Sequence, residues 1–201
     1  MLSPPASRRS ELFNLPNVLT YCRVAAVPVV AGLLFWPEDK WSRWAALSIF
    51  IAAAITDYFD GYFARAYSQH SQLGRMLDPI ADKLLVAACL LMLAADRTVN
   101  GVHLWAAIVI LCREVLVSGL REYLAELKVG MPVSKVAKWK TTAQLVALGF
   151  LIAGPAGESV LPGTITIGLV LLWTAAVLTI FTGWDYLKLS IATVVDRDAA
   201  R

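Results

Sequence analysis

The feature that most constrains this chain is a succession of apolar runs, each close to the ~20 residues an α-helix needs to cross a bilayer. Six stand out, at residues 18–36, 41–67, 73–95, 102–124, 141–153 and 161–187. Turn-forming clusters separate them, among them Pro37-Glu38-Asp39 and Gly154-Pro155-Ala156-Gly157. No stretch alternates with period two over the length of a membrane strand, which argues against a barrel. Composition agrees: 58% of the 201 residues are hydrophobic and 16% charged, against about 45–50% and about 25% in soluble domains. The expectation is an all-α integral membrane protein with six transmembrane helices in one domain, residues 14–190. A flexible segment (1–13) precedes it and a tail (191–201) follows. The first apolar run lacks a small-residue cleavage site and reads as a retained span, not a signal peptide.

Lys and Arg placement orients the bundle. One set of flanks holds Arg8, Arg9, Arg65, Arg75, Arg121, Lys128, Lys135, Lys138, Lys140, Lys188, Arg197 and Arg201, the other only Lys40, Arg43 and Arg97. Both termini are therefore expected on the cytoplasmic side. Trp36, Trp41, Trp44 and Trp105 would form an outer aromatic belt, with Trp139 and Trp184 near the inner interface. Cys22, Cys89 and Cys112 lie singly in apolar segments without CxxC spacing and read as buried, inert thiols, not as a disulfide or metal site. No basic tract with interleaved aromatics suggests nucleic acid.

Against this background the stretch from Asp57 to Lys83 is anomalous. Asp57 and Asp60 are spaced i, i+3 and share a helix face; Asp78 and Asp82, spaced i, i+4, share another. The turn falls near residues 68–72, with the two pairs at similar distances on either side. An antiparallel helix pair would hold all four carboxylates at one depth. Such charges repel strongly at low dielectric, so they must take up protons, recruit Lys or Arg, or bind cations. Arg65 and Lys83 are too few to neutralise four carboxylates, whereas two divalent ions would suffice. Oxygen-only ligation favours Mg²⁺ or Mn²⁺. Gly61, Gly74 and Ala64 supply small side chains beside the acids, which allows close helix approach. A divalent-cation channel would also use intramembrane carboxylates, but would spread them through the membrane depth.

The run Asp57-x-x-Asp60-Gly61-x-x-Ala64-Arg65, eight residues, then Gly74-x-x-x-Asp78-x-x-x-Asp82 resembles the signature of the CDP-alcohol phosphatidyltransferase family at every fixed position. The resemblance implies a CDP-linked lipid substrate, with Asp57, Asp60 and Asp78 as metal ligands. It makes Asp82 both a ligand and the general base that takes the proton of an incoming alcohol. It also offers Gly61, Arg65 and Ser71 as contacts to the CDP moiety, with a snorkelling cytoplasmic anchor as the alternative for Arg65. The opening NLPNVLTYCR, residues 14–23, is similar to the family's entry into its first helix. Asn17 and Thr20 there either reach the nucleotide or cap the helix.

For the acceptor, Arg113 and Glu114 lie mid-span in the fourth run, with Arg121 and Glu122 nearer its end. Consecutive helix positions diverge, so Glu114 is not expected to face Arg113. Lys135, Lys138 and Lys140 follow, and suit either a phosphorylated acceptor or anionic headgroups. The segments REVLVSGLREYLAEL and KWKTTAQ resemble the bacterial phosphatidylglycerophosphate synthases, a branch of this family. That resemblance implies CDP-diacylglycerol and sn-glycerol 3-phosphate as substrates. It places Arg113, Arg121, Lys135 and Lys140 on the acceptor phosphate, and makes the protein a homodimer in the bacterial inner membrane with its active site towards the cytoplasm.

Overall fold

The computed structural model describes residues 15–67, 72–127, 129 and 135–199; for 15–16, 57–67, 72–75, 78, 135–138 and 194–199 the backbone alone is described. Six helices and no strand occur among the described residues: α1 (Leu15–Leu34), α2 (Lys40–Tyr67), α3 (Gln72–Ala95), α4 (His103–Glu126), α5 (Lys135–Glu158) and α6 (Thr164–Ala199). This is the all-helical architecture expected from hydropathy. Three stretches, Asn17–Leu34, His103–Glu126 and Thr164–Thr193, are long and apolar enough to cross a membrane.

The helices exceed their apolar runs. α5 begins at Lys135 and α6 continues to Ala199, through most of the stretch read as a tail. Residues 1–13 lie outside the described residues. Side chains such as Ile55, Leu91, Val115, Val170 and Phe181 are exposed, an apolar exterior that suits lipid and not water. Trp36, Trp41, Trp44, Trp105, Trp139 and Trp184 are exposed too, as belt residues must be. Cys22, Cys89 and Cys112 are free thiols; Cys89 is buried as expected, but Cys22 and Cys112 are exposed, because an apolar helix in lipid need not turn its cysteines inward.

The chain divides into two compact units, residues 1–98 with 152–162, and 99–151 with 163–201. In the first, α1 packs against α2 and α3. Ala26, Val30 and Leu34 of α1, Ala46 and Phe50 of α2, and Ala81, Leu85 and Leu93 of α3 are buried there. Small residues let helices approach closely where lipid offers no hydrophobic drive to associate. In the second unit α4 packs on α6.

One end of the first unit is organised by Arg43, which is only 2% exposed. Its Nε donates to the Pro37 carbonyl at 2.9 Å and its Nη1 to the Ile152 carbonyl at 3.2 Å. Nη2 pairs with Asp96 and donates to Thr98 Oγ1 at 3.3 Å. One guanidinium thus ties the α1–α2 loop, the segment after α3 and the second half of α5. α5 is broken at Gly154, whose φ of 44° and ψ of −129° are not helical. A Cβ there would lie 2.5 Å from Arg43 Nη1, so glycine is required both by the positive φ and by the guanidinium. Asp39 begins α2 by accepting from the amides of Trp41 and Ser42, each at 3.2 Å. The Ser42 hydroxyl also donates to Asp39.

Candidate active site

In the first unit, α2 is helical through Asp57 and Asp60, and α3 through Asp78 and Asp82. The i, i+3 and i, i+4 spacings therefore fall on helical backbone, as the sequence requires. The side chains of Asp57, Asp60, Gly61, Ala64, Arg65, Gly74 and Asp78, and the whole of Ser71, lie outside the described residues. Asp82 is described. It is half exposed, and Arg23 Nη1 donates to its Oδ1 at 3.4 Å. Arg23 itself is 1% exposed, so a buried cation from α1 meets Asp82. Lys83 Nζ donates to the Pro79 carbonyl at 2.8 Å. Among the described residues no group of three His, Cys, Asp or Glu side chains is gathered for a metal.

Asn17 and Thr20 are buried on α1, on the same side as Arg23. Thr20 lies beyond the first turn of a helix that begins at Leu15, so it cannot cap it. Asn17, Thr20 and Arg23, spaced i, i+3, i+6, form a polar stripe within an apolar helix. Sequence reasoning missed Arg23, although an arginine inside an apolar span signals a partner or a site by itself.

The second unit gathers the candidate acceptor residues. Arg113 on α4 donates through Nη2 to Thr182 Oγ1 of α6 at 3.1 Å. Its Nη1 lies 3.6 Å from Glu114 Oε1. The expectation that neighbouring helix positions keep these two apart is therefore corrected: both side chains are long enough to curl back and meet. The same Glu114 oxygen takes the Lys140 ammonium of α5. Lys140 thus joins the cluster through a carboxylate, and buried pairing of this kind offsets the desolvation of both ions. Arg121 is exposed, and its Nη2 donates to the Tyr186 hydroxyl at 3.5 Å. The Lys135 side chain lies outside the described residues. Tyr186 and Thr182 were not singled out in the sequence, because nothing local marks a tyrosine or threonine whose partner lies more than sixty residues away.

These features define a class: a polytopic helical membrane protein with an acidic pair on each of two successive helices and a cationic interior built on α4, α5 and α6. The CDP-alcohol phosphatidyltransferase family model matches residues 13–181, and the chain belongs to that family. Relatives named CDP-diacylglycerol–glycerol-3-phosphate 3-phosphatidyltransferase align along nearly all of it. The one from Rickettsia bellii is 46% identical over 175 residues, 87% of this chain and 94% of its own length. That from Shigella flexneri is 40% identical over 187 residues, 92% and 99% of the two chains. That from Cereibacter sphaeroides is 38% identical over 217 residues, 92% and 98%.

Proposed function

We propose that this phosphatidyltransferase moves the phosphatidyl group of CDP-diacylglycerol to sn-glycerol 3-phosphate, giving phosphatidylglycerophosphate and CMP. The observation that carries the reading is the near full-length alignment with relatives of that name, at up to 46% identity, on a chain holding the complete signature.

Asp57, Asp60, Asp78 and Asp82 are the proposed ligands of two divalent ions, Mg²⁺ or Mn²⁺. They fit in donor chemistry, being all carboxylate oxygen, and in register, since both pairs fall on helical backbone. Bound there, such ions supply charge neutralisation for a pyrophosphate. Asp82 accepts the proton of the glycerol hydroxyl as that oxygen forms its bond to the lipid-side phosphorus. The bond from this phosphorus to the bridging oxygen breaks, and CMP leaves with the electron pair. Arg23, paired with Asp82, holds this carboxylate towards α1. Asn17, Thr20, Gly61, Arg65 and Ser71 are the proposed contacts to the CDP-lipid. Arg113, Arg121 and Lys135 take the acceptor phosphate, and Lys140 contributes its charge beside Glu114. Guanidinium groups suit this task because their fixed N–H forks match a phosphate.

The Lys and Arg distribution supports an active site open to the cytoplasm of a bacterial inner membrane, and the family resemblance supports a homodimer. Purified protein given labelled CDP-diacylglycerol with glycerol 3-phosphate, serine, inositol phosphate or phosphatidylglycerol tests the reading. Product is expected with glycerol 3-phosphate, whereas turnover confined to another alcohol overturns the acceptor assignment. Divalent-ion flux without CMP release overturns the transferase itself.

A further inference from the structure

Resting on the reading that Arg113 and Arg121 take the acceptor phosphate, we infer that Tyr186 is the residue that positions both guanidinium groups for it. The two arginines stand eight positions apart on α4, about 12 Å along the helix axis. Both nevertheless reach one ring: Cζ of Arg113 lies 5.9 Å and Cζ of Arg121 5.8 Å from the centroid of Tyr186. Tyr186 is 6% exposed while Arg121 is exposed. The ring is therefore the fixed element, and the longer, freer side chain is the one being held.

The neighbouring face of α6 is shaped for the same purpose. Thr182, one turn before Tyr186, accepts from Arg113. Gly183 leaves the space that the Arg113 stem occupies, since a Cβ there would lie 3.1 Å from Arg113 Cγ. Attraction to a ring face acts on the charge of a guanidinium and uses none of its N–H donors. The donors that Thr182, Glu114 and the Tyr186 hydroxyl do not engage remain for an anion. In keeping with this, Arg113 Nε is buried with no hydrogen-bond partner, one more donor not engaged by the protein. Two cations gathered on an aromatic surface, with donors to spare, suit a phosphomonoester dianion.

Steady-state kinetics of Tyr186→Leu, Tyr186→Met and Tyr186→Phe enzymes test the role, with thermal stability in detergent as the folding control. Loss of the ring should raise the KM for glycerol 3-phosphate about tenfold, with the KM for CDP-diacylglycerol and kcat little changed. Tyr186→Phe keeps the ring and loses only the long hydrogen bond from Arg121, so it should restore the acceptor KM to within about threefold. An unchanged acceptor KM in the non-aromatic variants overturns the proposal, as does a parallel rise for both substrates or a fall in kcat alone. Non-aromatic variants that all fail to fold make Tyr186 a packing residue and overturn it as well. Arg113→Ala and Arg121→Ala separate this inference from the reading beneath it. If neither raises the acceptor KM, the phosphate assignment itself falls; if they do and the Tyr186 series does not, only the positioning role falls.

Discussion

Arg43, buried, and Arg113, partly buried, show how differently the two units use the same side chain. Arg43 in the first unit reaches two carbonyls, a carboxylate and a hydroxyl. It joins chain segments that would otherwise be loose ends. Arg113 in the second unit meets one hydroxyl and a carboxylate 3.6 Å away, and its Nε has no hydrogen-bond partner. A guanidinium carries five donors, and burying it requires that they be satisfied. Where protein groups satisfy them, the arginine is structural. Where capacity is left over in a cationic interior, it is available to a ligand.

The comparison breaks if the two variants behave alike. Arg43→Ala should have the largest effect on stability, about 3–5 kcal/mol, because it leaves Asp96 buried without its partner. Thermal unfolding in detergent measures this, and the surviving enzyme should keep its KM for glycerol 3-phosphate. Arg113→Ala should do the reverse, raising that KM roughly ten- to a hundredfold with a smaller loss of stability, since Glu114 keeps Lys140. The smallest effect belongs to Asp39. The Ser42 hydroxyl and the Trp41 amide hold its carboxyl below the ordinary value of 3.8. With the folded pKa depressed, the contribution is present above the unfolded value and is lost as pH falls through the folded one. Asp39→Ala should therefore lower Tm slightly at neutral pH, and melting curves should show the difference from wild type vanishing below the folded pKa.

Much of this was legible in the sequence because hydropathy and fixed spacing are local signals. The six runs became six helices, and the aspartates fell on helical backbone at the expected spacings. The ends of α5 and α6 were misread because polar residues such as Lys135 and Asp196 continue a helix beyond its apolar stripe, where hydropathy no longer reports it. Arg43 was legible as a flank charge but not as a buried tie, because its partners come from three separate segments. The pairing of Arg23 with Asp82, and of Arg121 with Tyr186, depends on which helices pack together. Periodicity within one helix carries no such information. Glu114 shows the opposite error, a rule about helix faces applied to side chains long enough to evade it.

CMP release from CDP-diacylglycerol in the presence of glycerol 3-phosphate, measured on protein stripped of divalent ions and then titrated with Mg²⁺ or Mn²⁺, tests the central claim most directly. No release is expected before the ion is added, full release after it, and a loss of about 10²-fold or more in Asp82→Asn at every ion concentration. Undiminished release in EDTA, or wild-type release from Asp82→Asn, would contradict the account.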